Sequence, residues 1–524
     1  MHPFLQRHTE KVIGMLSGWD RIRLRGTLRW LANLRGMTSY LYAANVLLKD
    51  FKAYAQRATE EIRQATTRTA EAAGRPVIYL ESSATRKEDV AREIAQRDGI
   101  REGLVCVLTC VEPCWSYTIR RNAQTKHLEL RGGVLKCLHQ YFYFQDPVVG
   151  FMHARLQTWF PFNMHICLNG REWLARQMDA EGIGYLRRDN CFVQVADMER
   201  AQKLLDRQLR ISWTSLLNRI ANQANPARKT IFGQHALDLD YYWSVQESEW
   251  ASDILFRSAA DLEALYPRLI RHGMQTMGSA DVMRFLGRKV PQHGGVHGRF
   301  LGQVVTDLKD RPEGMRIKHR LNRNAIKMYD KQGSVLRVET TINDARDMKV
   351  YRAKEGKSKK GKSWRQLRKG IADLHRRAQL SQAANERYLD SMAAVEDSTE
   401  LGELANQLCQ PGQWEGRRVR ALNPFSLEDA ALLAAVNRGE FTINGFRNRD
   451  LRPLLYGTGE VSAAEARRQA AAITRKLRLL RGHGLIRKVP KTHRYMLTKR
   501  GQSAIAALLA ARHANIEKLA QLAA

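Results

Sequence analysis

The stretch Leu477–Gly501, LRLLRGHGLIRKVPKTHRYMLTKRG, decides how the C-terminal part of the chain folds. Its first residues complete a helix of period 3.6, Ala463 to Arg481, which stops at Gly482-His483-Gly484, because glycine accepts the left-handed conformation that ends helices. Leu485 to Val489 then reads as a strand, Pro490 to His493 as a turn and Arg494 to Leu497 as a returning strand, with a closing helix from Gly501 onward. Upstream, Ser426 is placed to cap a helix from Leu427 to Asn437, and Phe446 to Leu455 reads as a second, short helix. The segment Arg467 to Arg500 holds twelve Lys or Arg and no Asp or Glu, interleaved with apolar residues at helical spacing. Such interleaving makes a folded cationic face, not a solvated tail.

Three helices followed by a two-stranded wing resemble the winged helix-turn-helix domain of MarR- and ArsR-like DNA-binding proteins, over roughly residues 425 to 512. The resemblance implies that the third helix reads the major groove. Arg467, Arg468, Arg475, Lys476, Arg478 and Arg481 would then meet phosphates and base edges. Arg487, Lys488, Lys491, His493 and Arg494 would sit at the wing, against the backbone or the minor groove.

Composition points the same way. The 524 residues include 86 Lys or Arg and 53 Asp or Glu, a formal net charge of +33. The excess is uneven: 42 basic and 30 acidic residues precede position 301, and 44 and 23 follow it. A field of this sign favours nucleic acid as partner. With 44% apolar residues the chain can bury several cores, at about 150 residues per domain, so disorder throughout is excluded. No apolar run of about eighteen residues or signal-like leader is read, which predicts a cytoplasmic protein without a membrane partner. Seven cysteines, an odd and ordinary number, predict reduced thiols.

The expected fold class is α+β, multidomain, with antiparallel-sheet central domains. A helical N-terminal segment is expected over 1–75, with helices at Val12 to Leu16, Ile22 to Leu34 and Tyr40 to Ala73; Arg21, Arg23, Arg25 and Arg29 would lend it a phosphate-facing surface. An α+β domain follows over 76–235, with an Asn169-Gly170 turn, and a second over 236–353 with a basic β-meander and a Gly/His loop at Pro291 to Gly298. Residues 354–416 read as a basic linker, KEGKSKKGK, and one long helix from Trp364 to about Val395; the winged helix occupies 417–524.

In the meander, NAIKMYDKQGSVLRVETTIND (Asn324–Asp344) alternates an apolar face with one bearing Lys327, Tyr329, Lys331, Arg337 and Glu339. Lys318 and Arg320 precede it, and these cations with Lys327 and Arg337 form a candidate phosphate-contacting sheet. The Tyr-Asp-Lys and Leu-Arg-x-Glu pattern resembles rolling-circle replication initiators, which implies Tyr329 as nucleophile, Glu339 as holder of a divalent cation and Lys331 as a charge stabiliser. The paired metal-binding histidines of those nickases are absent; His319 alone lies nearby.

Cys106, Cys110 and Cys114, spaced C-x3-C-x3-C, depart from the radical-SAM spacing and lie in an apolar strand, so no metal and no cofactor are assigned to them. Eight aromatics between Tyr141 and Phe162 read chiefly as core, with base stacking as the alternative. No phosphate-binding loop, nucleophile elbow or zincin motif occurs. Over its whole length the chain resembles bacterial proteins of unknown role, and that likeness carries no function. The expectation is a nucleic-acid-binding protein, DNA favoured over RNA, acting in the biology of a mobile element or replicon. The alternatives are a DNA-nicking or strand-transfer nuclease, a transcriptional regulator with a large sensing region and an RNA-binding part of a ribonucleoprotein.

Overall fold

A computed structural model describes residues 2–232, 240–288, 302–311, 314–353, 362–393, 401–438, 441, 445–490 and 492–512. The loop expected at Pro291 to Gly298, most of the basic linker and Lys491 lie outside them. The chain is α+β and divides into two compact units, one of residues 8–266 and 307–386, the other of 1–7, 267–306 and 387–524. None of the described helices is long and apolar enough to cross a membrane.

The first unit is organised by one large sheet. Its strands are β1 (Val12–Leu28), β2 (Val77–Tyr79), β3 (Gly103–Arg121), β4 (Leu128–Asp146), β5 (Gly150–Gln157) and β6 (Met164–Asn169). The hairpin β7 (Tyr185–Arg188) and β8 (Cys191–Val195) stands apart; β9 (Tyr241–Phe256), β10 (Val304–Lys309), β11 (Arg316–Leu321), β12 (Asn324–Lys331) and β13 (Val335–Ile342) complete the sheet. The order is β10-β11-β12-β13-β9-β1-β6-β5-β4-β3-β2. Pairings from β11 to β3 are antiparallel, and β2 joins β3 in parallel.

The first correction concerns β1. Val12 to Leu28 is one strand of 17 residues, not a pair of helices. Ile22, Leu24 and Leu28 are buried while Arg21, Arg23 and Arg25 alternate with them on the other face; this is the period of a strand, although single apolar residues also fall at helical spacing. The second correction is that the segments 1–75, 76–235 and 236–353 are not separate domains. Strand β1 pairs with β6 on one side and β9 on the other, so all three share a sheet. Third, the long helix expected from Trp364 begins instead as strand β15 (Lys362–Gln366), paired with β14 (Lys349–Ala353), and the helix runs Leu374–Met392.

One sheet face carries the core. Ile22, Leu24, Leu28, Phe142, Ala154, Leu156 and Ile166 pack with Tyr40, Leu41, Phe51, Ala55 and Ile62 from the helices Leu34–Ala43 and Phe51–Ala72. Seven of the eight aromatics between Tyr141 and Phe162 are buried and Trp159 is partly so, which leaves no stacking surface there. The turn at Asn169-Gly170 leads straight into a helix: the Asn169 side chain accepts from the Arg171 and Glu172 amides and caps the helix Gly170–Glu181.

In the second unit the expected C-terminal elements are present: helices Leu427–Val436, Asn448–Tyr456 and Ala463–Gly482, the hairpin β18 (Ile486–Lys488) and β19 (Tyr495–Leu497), and the helix Lys499–Arg512. Before them stands a small hairpin, β16 (Gly412–Trp414) and β17 (Arg417–Val419). Leu433, Val436, Leu451, Ile473, Leu477, Leu480, Ile486 and Ile505 share one core.

A Cβ added at Gly170 would stand 1.8 Å from the Trp19 main-chain oxygen, so the helix approaches β1 as closely as backbone allows. Gly170→Ala is expected to cost about 1–3 kcal/mol through the displacement it forces, read as a lower denaturation midpoint.

Candidate nucleic-acid interfaces and a buried charge network

The helix Ala463–Gly482 is capped by Ser462, whose hydroxyl accepts from the Glu465 amide, and it buries Ile473, Leu477 and Leu480. At about 100° per residue, Arg467, Arg468, Arg475 and Arg478 fall within one arc of about 100°, and all four are exposed. Arg467, Arg475 and Arg478 make no ion pair among the described residues; Arg468 meets Glu465 at 3.1 Å. Lys476 pairs with Glu428. Arg481 lies 4.1 Å over the Trp414 ring and 3.8 Å from Glu415, which ties it to the β16–β17 hairpin. On the last hairpin Arg487, Lys488 and His493 are exposed, while Arg494 turns back to donate to the Gly445 carbonyl at 3.4 Å.

The second basic surface is the face of the large sheet opposite the core. Arg25, His165 and Arg155 are directly in register across β1, β6 and β5, and Arg23, Cys167 and His153 form the next row. No ion pair is found for Arg25 among the described residues, whereas Arg155 meets Glu112 at 2.8 Å. Burial, Arg155 and Arg25 push the His165 imidazole down to about 3, so it stays neutral between two guanidinium groups. The helix Lys87–Arg97 covers the β3–β4 end of this face through Ala91, Ile94 and Ala95. On β11, Arg320 is exposed and 3.9 Å from Asp307, and Lys318 is half-buried opposite Lys327.

Along β9, β12 and β13 the same face sinks into a buried ionic network. Arg337 is fully buried: it donates to both Asp253 oxygens (2.6 and 2.8 Å), to Asp20 (3.0 Å) and to the Asn190 carbonyl (2.8 Å). Arg171, equally buried, meets Asp253 at 2.9 Å. Arg337 is therefore corrected from a phosphate contact to a structural ion. Lys327 is mostly enclosed as well, between Glu249 (3.0 Å) and Glu339 (2.6 Å), and its ammonium is already neutralised. Arg21 bridges Glu249 (3.0 Å) and Glu247 (3.1 Å) and carries the network to the exposed Arg23.

Of the three proposed catalytic residues, two come together. The Tyr329 hydroxyl donates to Glu339 at 2.8 Å, while Lys331 is paired with Asp189 at 3.4 Å. Burial and the Glu339 charge push the Tyr329 phenol well above its ordinary value, so it is protonated at neutral pH. Burial alone would raise Glu339, but the Lys327 ammonium and the Tyr329 hydroxyl outweigh it and hold the carboxyl at about 2. Burial and the Glu339 charge push Glu249 up to about 7, against Lys327 and Arg21.

Sequence reasoning missed Asp20, Glu249 and Asp253. With Glu339, Asp20 and Glu249 present carboxylate oxygens within 4.8 Å of one another, a group able to hold a divalent cation. The cysteines are not part of it: Cys106, Cys110, Cys137 and Cys191 are buried free thiols. The signal available was the row Glu247, Glu249 and Asp253 inside a strand that carries no other charge, YYWSVQESEWASDILF.

Because the Glu249 carboxyl is raised above its ordinary 4.5, the folded state holds its proton more tightly than the unfolded one. Its stabilising contribution is full below about pH 4.5 and is lost as pH rises through about 7. Glu249→Gln should therefore flatten the loss of stability between about pH 5 and pH 8 by about 1–3 kcal/mol, followed by denaturation at each pH.

No protein-family model, curated protein or solved structure matches this chain.

Proposed function

We propose that this is a nucleic-acid-binding protein, DNA favoured, whose C-terminal helices and hairpin act as a winged-helix reading head. The observation that carries the reading is the exposed arc of Arg467, Arg475 and Arg478, none of them ion-paired among the described residues, with Arg468 beside them on Glu465. A helix of twenty residues that buries one stripe and offers unpaired guanidinium groups on another is suited to phosphates on both sides of a groove. Arg23, Arg25 and Arg320 on the large sheet add a second cationic surface. Replicon or mobile-element biology is the setting this reading favours.

Arg475→Ala combined with Arg478→Ala should flatten the slope of log affinity for duplex DNA against log salt by about two units. An unchanged slope in the folded double variant would place the binding surface elsewhere. Duplex RNA in parallel separates the DNA reading from the RNA one.

A second reading, metal-assisted strand cleavage, is favoured by the convergence of Asp20, Glu249 and Glu339 beside the Tyr329 hydroxyl. Glu339 is ionised and accepts the Tyr329 hydroxyl's hydrogen bond, which holds the phenol oxygen beside the three carboxylates. In this reading Lys331 is held by Asp189, and Lys327, which shares Glu339 with the Tyr329 hydroxyl, is the cation next to the reacting group. Incubation with labelled single-stranded and supercoiled DNA plus magnesium or manganese should yield a denaturation-resistant adduct that Tyr329→Phe lacks. Intact DNA and no adduct on every substrate would leave these residues with a structural role alone.

A further inference from the structure

The β14–β15 hairpin places two aromatic rings in water. Tyr351 and Trp364 are direct cross-strand partners, their ring centroids 5.8 Å apart and their planes tilted by 59°. Tyr351 is 58% exposed and Trp364 63% exposed, so most of both rings faces solvent. The tilt matters, because rings that do not stack on one another leave their faces open.

The other side of this ribbon is anchored. Val350 and Leu367 are buried, the Leu367 amide donates to the Met348 carbonyl at 2.9 Å, and Arg352 donates to the Gln366 carbonyl and lies 3.7 Å from Asp373. The aromatic pair is thus held on a fixed platform. Lys349 and Gln366 flank it on the same face, two residue pairs along the ladder, and Lys349 is exposed. Neither strand, KVYRA or KSWRQ, contains an acid.

We propose that this face of the hairpin is a stacking site for unpaired bases of a single-stranded nucleic acid, with Trp364 and Tyr351 under the bases and Lys349 at the neighbouring phosphate. Two exposed aromatics in an acid-free cationic strand pair suit an occupant that has both a flat π-face and a negative charge, and an unpaired nucleotide has both. The site is separate from the arginine arc of the C-terminal helix and deepens the nucleic-acid reading by naming single strands as its substrate. It rests on that reading, so the test carries both strand types.

Fluorescence anisotropy of labelled oligothymidylate, oligouridylate and a blunt DNA duplex is measured with the full chain, its Tyr351→Ala/Trp364→Ala variant and Trp364→Phe. At about 1–3 kcal/mol per stacked base, the double alanine variant, which loses two, should bind the single strands at least about 30-fold more weakly and the duplex unchanged. Trp364→Phe, which keeps a ring, should restore most of the affinity. Lys349→Ala should flatten the single-strand salt slope by about 0.7. A cross-strand aromatic pair also stiffens a hairpin. Equal single-strand affinity in the parent and the double alanine variant, both with unchanged melting midpoints, would overturn the proposal. So would equal weakening by Trp364→Phe and the double alanine change, because the ring face would then not be what binds. Duplex binding without single-strand binding by the parent chain would sink this site and leave the reading head; binding of neither would sink both.

Discussion

A guanidinium that water cannot reach must find all its acceptors in the protein, and Arg337 is that group in the large unit. Four of its five N–H donors are met, by both oxygens of Asp253 on β9, by Asp20 on β1 and by the Asn190 carbonyl in the β7–β8 turn. The arrangement exists only when β13, β9, β1 and that turn are all assembled. Removing one partner of a buried pair leaves the other charge stranded, at a typical cost of about 3–5 kcal/mol, so strand register here is enforced by electrostatics as well as by apolar contact. Arg171 reinforces the same point by bringing the helix Gly170–Glu181 to Asp253.

From this junction the sheet acquires two unlike faces. One is covered by helices and is apolar. The other runs from buried ion pairs at Arg337 and Lys327, through the half-buried Arg21, to the exposed Arg23 and the unpaired Arg25. Cations buried with acids are spent on stability, and those left without acids set the outward field. The formal charge of +33 is therefore a poor guide to a binding surface until each cation is sorted by its partners. Sorting removes Arg337, Lys327 and Lys331 from the interface and retains Arg467, Arg475, Arg478, Arg487, Lys488 and Arg25, none of them ion-paired among the described residues.

The carboxylates show how one network can serve two ends. Lys327 stabilises Glu339 as an anion while burial and the Glu339 charge raise its neighbour Glu249, against Lys327 and Arg21. A divalent cation offers twice the charge of an ammonium and would suit the same oxygens, with Asp20 added.

Local sequence was enough for the C-terminal helices and hairpin, since their signals are short-range: Ser426 as a cap, glycines after the helix, and an apolar stripe at period 3.6. It was also enough for the two strands carrying Tyr329 and Glu339, where alternation within eight residues marks the faces, and for the acid-free block of cations. Strand β1 was misread because isolated apolar residues among arginines satisfy both helical and strand periods, and only its pairing with β6 and β9 separates them. Trp364 was misread for a similar reason, its strand partner lying across the basic linker. The carboxylate cluster was beyond local reading: Asp20, Glu249 and Glu339 stand on three strands far apart in sequence, and no periodicity records which strand lies beside which. Side-chain spacing along the chain determines which face a residue occupies; which charges then meet across that face is decided by long-range pairing, where the cost of an unpaired buried ion selects the register.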